Sequence, residues 1–115
     1  MKVQGDPTAT PIGGFLGYDL AAGVTISAGQ TTAPVEGVAA GSYLLAILAT
    51  NWNGATIKLK FLGPDGVTNM DAKDAEGNAA SLSANGHLGV VVGGNATLCL
   101  EATGGAPTGV YASIS

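Results

Sequence analysis

Short apolar runs alternate with clusters of glycine, asparagine, aspartate and proline along most of the chain, and no helical stripe of apolar residues extends far without meeting a glycine. Such runs between turn residues are typical of β-strands. The pattern predicts an all-β, single-domain two-sheet β-sandwich of jelly-roll or Ig-like topology with an extended N-terminal arm. The predicted strands are residues 14–20, 23–28, 42–50, 56–62, 67–71, 87–92, 96–103 and 109–114.

Two runs indicate how strands are placed in the sandwich. Apolar residues and lysines alternate in Ile57-Lys58-Leu59-Lys60-Phe61, as expected of a strand with one wet face, and Gly63-Pro64-Asp65-Gly66 predicts a turn into the next strand. The run Tyr43-Leu44-Leu45-Ala46-Ile47-Leu48-Ala49 is apolar on both faces and so needs cover on two sides. On the side of Leu44, Ala46 and Leu48 that cover could be a subunit interface, the N-terminal arm or a neighbouring loop.

The remaining segments show weaker patterns. Residues 1–11 carry Pro7 and Pro11 among threonines without periodicity, which predicts an extended arm ahead of a sandwich domain at 12–115. Residues 71–84 predict a loop, because Gly77 interrupts the only candidate helical turn. The last two apolar runs are joined by Gly104-Gly105-Ala106-Pro107 and predict either a hairpin or a pair that crosses between the sheets.

Composition limits the classes of partner. The 115 residues include 19 glycines, charged residues make up only 10%, and the net charge is −4. The cations are all lysines, and without arginine the chain lacks the fork that holds phosphates in two-point contacts, so we expect no nucleic-acid partner. The apolar run of the third predicted strand is too short to span a bilayer, so we expect no membrane association. A chain with so little charge lacks the repulsion that keeps monomers apart, which favours an assembly.

The single cysteine, Cys99, cannot form an intrachain disulfide, and the N-terminus has no apolar run of the kind a secretory signal needs. Both observations favour synthesis in a cytoplasm.

Catalytic residue types are scarce in this sequence. His87 follows a predicted turn at Asn85-Gly86, which is typical of a solvated histidine rather than a general base, and Cys99 alternates with leucines as a small packed side chain or mild surface thiol does. The acidic residues between Asp65 and Asn78 lack the glycine and glutamate positions of a calcium loop. We therefore predict no enzyme activity, no catalytic residue, no cofactor and no metal site.

Trp52 is the only tryptophan and lies between two strongly predicted strands. Three roles fit it: a ring that closes one end of the core, an anchor at a protein interface, and a platform on which a sugar stacks.

The stretch from Gly54 through the Gly63-Pro64-Asp65-Gly66 turn, preceded by Trp52 and followed by a late glycine-rich strand pair that ends in Tyr111-Ala112-Ser113-Ile114, resembles small virion proteins of tailed bacteriophages over about residues 37–115. The resemblance implies a β-sandwich decoration or cement protein that binds the major capsid protein on the outer capsid surface of the virion, often as a homo-oligomer and most often as a trimer. It brings no catalytic or metal residues.

On this reading the arm and one apolar sheet face make the contacts, and the interface candidates are Pro7, Pro11, Leu44, Leu48 and Trp52. Two other functions remain open. A tail or head-fibre subunit would have a similar composition. A carbohydrate-binding module would share the sandwich, although such modules display several aromatics on one face, and the six aromatics here are scattered: Phe15, Tyr18, Tyr43, Trp52, Phe61 and Tyr111.

Overall fold

The computed structural model describes residues 17–115, and over that range the chain contains strands, turns and irregular segments but no helix. No segment there forms a helix long and apolar enough to cross a bilayer. In chain order the strands within this range are β1 (Tyr18–Val24), β2 (Val35–Val38), β3 (Gly41–Leu48), β4 (Thr56–Leu62), β5 (Asn69–Asp71), β6 (Lys73–Asp74), β7 (Ser81–Leu82), β8 (Gly86–Val92), β9 (Ala96–Thr103) and β10 (Val110–Ile114).

These strands form two antiparallel sheets. The first sheet has the order β2-β9-β4-β5, with β7 also pairing with β4, and the second has the order β1-β10-β3-β8-β6. The long strands therefore pass alternately from one sheet to the other, and the last strand lies beside the first. This is the strand order of a jelly roll. The structure confirms the predicted two-sheet sandwich and selects the jelly roll over the Ig-like alternative, and it shows β9 and β10 as a crossing pair rather than a hairpin.

The core lies between the two sheets and is built by alternation along each strand. On β3 the inward side chains Tyr43, Leu45 and Ile47 are buried, while their neighbours along the strand are exposed. Ile57 and Leu59 of β4 face them from the first sheet and are fully buried. Successive side chains point to opposite faces of a strand, so each strand contributes one row to this core.

The predicted strands match the observed ones best where the alternation is regular. Strands 56–62 and 96–103 have the predicted bounds, and the Gly63–Gly66 turn joins β4 to β5 as expected, with the Gly63 amide donating to Thr68 O at 2.7 Å. The prediction of a strand at 67–71 was two residues too long at its start, because residues 67 and 68 belong to that turn.

Two predictions about secondary structure were wrong. Residues 23–28 do not form their own strand: β1 continues to Val24 and the chain then leaves the sheet, although Ile26 is still buried, with its amide donating to Pro107 O at 3.1 Å. Residues 71–84 are not wholly a loop, because they hold β6 and β7. Strand β2 was not predicted at all. The predicted arm at 1–11 lies outside the described residues.

Candidate docking face

The outer face of the second sheet carries a group of exposed apolar side chains that no other part of residues 17–115 covers. Leu44 and Leu48 of β3 are 44% and 50% exposed, Val91 of β8 is 56% exposed, and Tyr111 of β10 is 53% exposed. Ala46 lies between the two leucines and is exposed as well. We call these five residues the docking face. Of the covers expected for this side of β3, a neighbouring loop of the described chain is therefore excluded.

Small residues make the centre of this face concave. Ser113 of β10 lies opposite Asp19 of β1 on one side and Ala46 on the other, and Ala46 lies opposite His87 of β8. The next row places Tyr111 opposite Leu48. With only a serine and an alanine in the middle and larger side chains around them, the sheet forms an open depression of about 640 Å³ that combines an apolar row with a polar one.

Tyr111 is positioned by a glycine on the neighbouring strand. Gly23 has a φ of +71°, and a Cβ at that position would lie 3.0 Å from the Tyr111 hydroxyl oxygen and 3.2 Å from the adjoining ring carbon. The phenol ring therefore lies across the backbone of β1, where a larger residue would displace it. This contact keeps a large aromatic surface against the sheet and open to solvent on the docking face.

The outer face of the first sheet is charged. Lys60 of β4 donates to Asp71 of β5 at 2.6 Å and lies 3.6 Å from Glu101 of β9, while Lys58 lies 4.0 Å from Asp71. The hydrogen bond from Lys60 lowers the pKa of Asp71, and the same bond raises the pKa of Lys60. Charges of both signs thus neutralise one another on this face, so its side chains are solvated and ion-paired rather than apolar.

Trp52 lies half-buried at one end of the sandwich and packs against the core. Its indole Nε1 donates to the side-chain oxygen of Asn85 at 2.7 Å, and the same oxygen accepts the amide of Ala49 at 2.9 Å. Asn85 also lines the depression on the second sheet. These contacts favour the end-of-core role for Trp52, with one edge of the ring held beside the docking face.

His87 and Cys99 lie on opposite outer faces of the sandwich. His87 is exposed on the second sheet, and Cys99 is buried on β9 of the first sheet, opposite Lys60. Burial raises the pKa of the Cys99 thiol, which disfavours the reactive thiolate. The two side chains cannot act together on one substrate atom.

The acidic residues between positions 65 and 78 are used by the backbone and by lysine. Asp65 accepts the amides of Val67 and Thr68 at 2.9 Å and the Thr68 hydroxyl at 2.6 Å, and the hydroxyl is the main reason that the pKa of Asp65 falls to about 2. Asp74 accepts the amides of Glu76 and Asn78. Within residues 17–115 no three His, Cys, Asp or Glu side chains are grouped closely enough to hold a metal ion.

The interface candidates from the sequence are placed differently by the fold. Leu44 and Leu48 lie together on the docking face, Trp52 lies at the end of the sandwich, and Pro7 and Pro11 lie outside the described residues. Sequence reasoning missed Tyr111 and Val91. Alternation in 110–114 separates Tyr111 from its buried neighbours, but only the strand order places it beside Leu48.

Comparison with known protein families, with curated proteins and with solved structures finds no match for this chain.

Proposed function

We propose that this protein is a non-enzymatic structural protein of a virion, which binds the outer surface of a bacteriophage capsid through the docking face and stabilises the shell as a decoration or cement protein. The observation that carries the proposal is the contrast between the outer faces of the sandwich. On the outer face of the first sheet, lysines and carboxylates form ion pairs, whereas the outer face of the second sheet exposes two leucines, a valine and a tyrosine.

The composition of the docking face suits a protein partner. Aromatic residues are enriched and charged residues depleted at the centres of protein interfaces. Here Tyr111 and Leu48 form an exposed apolar pair next to the small residues Ser113 and Ala46, and the charged residue Asp19 lies at the β1 end of the row that contains them. Apolar contacts of this kind depend little on salt, so attachment would persist at moderate ionic strength. Fold alone does not assign this function, since jelly rolls occur in viral capsid domains and in lectins alike.

The partner in this proposal is the major capsid protein, and the protein acts as a homo-oligomer, with a trimer favoured. It is made in the host cytoplasm and ends on the outer surface of the virion. The resemblance of the turn-centred stretch to phage virion proteins supports this choice of partner. The apolar face and the low charge support assembly in general.

Leu48→Glu tests the role of the docking face. Leu48 is half-exposed on this face and lies opposite Tyr111, so a carboxylate there leaves folding intact but would be desolvated on docking. We expect the variant to bind capsids of the phage that encodes it at least about tenfold more weakly, which corresponds to roughly 1.4 kcal/mol. Sedimentation of the protein with purified capsids measures the binding.

Thr103→Glu is the matched control, because Thr103 is an exposed strand residue on the outer face of the first sheet. It should bind as the unaltered protein does. If both variants bind normally, the docking face is not the contact. If the unaltered protein binds purified tails and not capsids, it is a tail or head-fibre subunit instead.

A carbohydrate-binding module is the second candidate, and the depression itself favours it. An exposed tyrosine beside a row with a carboxylate, a hydroxyl and an imidazole can stack on a sugar ring and bind its hydroxyls. Trp52 is a poorer platform, because its Nε1 is already bonded to Asn85 and its ring packs on the core. Binding to a glycan array that is lost in Tyr111→Ala but kept in Trp52→Phe would favour this function over capsid binding.

A further inference from the structure

The sandwich has a cavity at the end where β4 and β8 finish and β9 begins. The cavity has a volume of about 550 Å³ and is lined by residues of both sheets. One wall is the turn that starts at Gly63 and Pro64, and the other is the turn 93–95 between β8 and β9. We call this space the end cavity. It lies at the opposite end of β8 from the depression on the second sheet, and Val91 is the only docking-face residue that also lines it.

The floor of the end cavity is part of the hydrophobic core. Phe61 of β4 and Leu98 of β9 lie opposite each other in the first sheet, and Val92 of β8 belongs to the second. Leu98 and Val92 are buried in the core, whereas Phe61 is only partly buried and packs against it. Clefts that bind small molecules are of this size, roughly 300–1,000 Å³, and are mostly apolar. An apolar group in the end cavity would therefore be stabilised by burial on the floor.

Lys73 of β6 is the only charged residue among those that line the end cavity, and it is exposed. The other two lysines of the described chain, Lys58 and Lys60, both form ion pairs with Asp71. Lys73 forms no ion pair with any carboxylate of residues 17–115. Because a lysine has a long flexible stem, its ammonium can approach an anionic group held at the rim of the cavity. The charge at this rim therefore favours an anionic ligand.

The turn between β8 and β9 adds hydrogen-bond donors at the same rim. The amides of Gly93, Gly94 and Asn95 donate to no acceptor within residues 17–115. This turn is also open to solvent, because a Cβ at Gly93 would meet nothing within 4 Å. Successive backbone amides in a turn are a common means of binding anions. The rim thus combines a lysine without an ion pair and three amides without acceptors in the described chain.

We propose that the end cavity binds a small carboxylic acid with an apolar tail, such as a medium-chain fatty acid. The tail is buried beside Phe61 and Val92, and the carboxylate stays at the rim, where Lys73 and the amides of the turn 93–95 bind it. The two parts of the site select this class of ligand together. A hydrocarbon would leave the charge of Lys73 without a partner, and a small hydrophilic anion would leave the apolar floor uncovered.

Titration of the full-length protein with monomeric octanoate, followed by NMR, tests the site, and octanol serves as the uncharged ligand. We expect saturable binding of octanoate, with the largest shifts at the turn 93–95 and at Phe61. Lys73→Met keeps the apolar stem but removes the charge, so it should weaken octanoate binding about fivefold, the effect of one ion pair near solvent, and leave octanol binding unchanged. Lys58→Met is the matched control, because Lys58 does not line the cavity, and it should bind octanoate normally.

Octanoate shifts that do not saturate, or that lie on the docking face instead, would overturn the proposal. Equal octanoate binding by the two lysine variants would overturn the carboxylate's role. Ala96→Phe places a ring at the mouth of the cavity and should abolish binding of both ligands; if it unfolds the protein, the lysine variants still decide. Shifts at the turn 93–95 that change on dilution without octanoate would mean that a second copy occupies the cavity, contrary to the proposal. The isolated protein is sufficient, so the outcome is independent of capsid binding.

Discussion

The outer faces of the two sheets differ in the chemistry of the side chains that they expose. On the first sheet, lysines of β4 meet carboxylates of β5 and β9, with Lys60 between Asp71 and Glu101. On the second sheet, β3 and β10 turn Leu44, Leu48 and Tyr111 to the outside. The inner faces of both sheets are apolar because they share one core.

This difference separates the apolar residues that are buried in the core from those that remain exposed to solvent. Every second residue of β3 is buried by the first sheet, and that burial accounts for Tyr43, Leu45 and Ile47. The exposed leucines contribute little to the fold and, with Val91 and Tyr111, form exposed apolar surface on one side of the sandwich. The charged side chains on the first sheet, by contrast, are solvated and paired with one another, as is usual on a protein surface.

The largest effect separates the two faces of β3 itself. Leu45→Ala removes a fully buried side chain and should lower the free energy of unfolding by roughly 2–5 kcal/mol, whereas Leu44→Ala on the exposed side should cost less than about 1 kcal/mol. Urea unfolding of the isolated protein measures both. Similar losses in the two variants would mean that the outer face is already covered in solution.

A smaller effect is expected at the end of the sandwich. Trp52→Ala should cost roughly 3 kcal/mol, the lower end of the range for large aromatics, because the ring is only half-buried. Trp52→Phe keeps most of the packing but loses the hydrogen bond to Asn85, and should cost roughly 1 kcal/mol. Thermal or urea unfolding distinguishes them. If Trp52→Ala is as stable as the unaltered protein, Trp52 does not act as a core residue.

The smallest effect concerns the charged face and depends on pH. The pKa of Asp71 is lowered by the hydrogen bond from Lys60, so its stabilisation is complete above the unfolded pKa of about 3.9 and is lost as the pH falls through the folded value. Asp71→Asn should therefore lower the free energy of unfolding by only about 1 kcal/mol at neutral pH, because the ion pair is partly solvated. Below pH 4 the loss should become progressively smaller, because the carboxylate is then protonated in the unaltered protein as well.

Urea unfolding of both proteins across this pH range tests the expectation. The Lys60→Met variant provides the control, because combined with Asp71→Asn it should cost less than the sum of the two single changes. A loss from Asp71→Asn that stays constant with pH would show that the carboxylate's charge is not what stabilises the pair.

Regular alternation was sufficient to predict β4 and β9. In β4, lysines at every second position leave only one way to place the strand, with Ile57 and Leu59 inside. The same reasoning could not place β2. Pro34, Glu36 and Gly37 are unfavourable in strands, and this segment becomes one because Val38 and Val35 lie opposite Ala96 and Leu98 on the edge of β9.

For the candidate site, the sequence of β3 determined that both of its sides are apolar, and hence that one apolar side lies outside the core. The sequence did not determine which side remains exposed, because a strand that is apolar at every position can be buried on either face. The tertiary structure decided this by pairing β3 with β10 and β8 in one register, which buries Leu45 and sets Leu48 beside Tyr111. Residues far apart in the chain form the docking face only through that pairing.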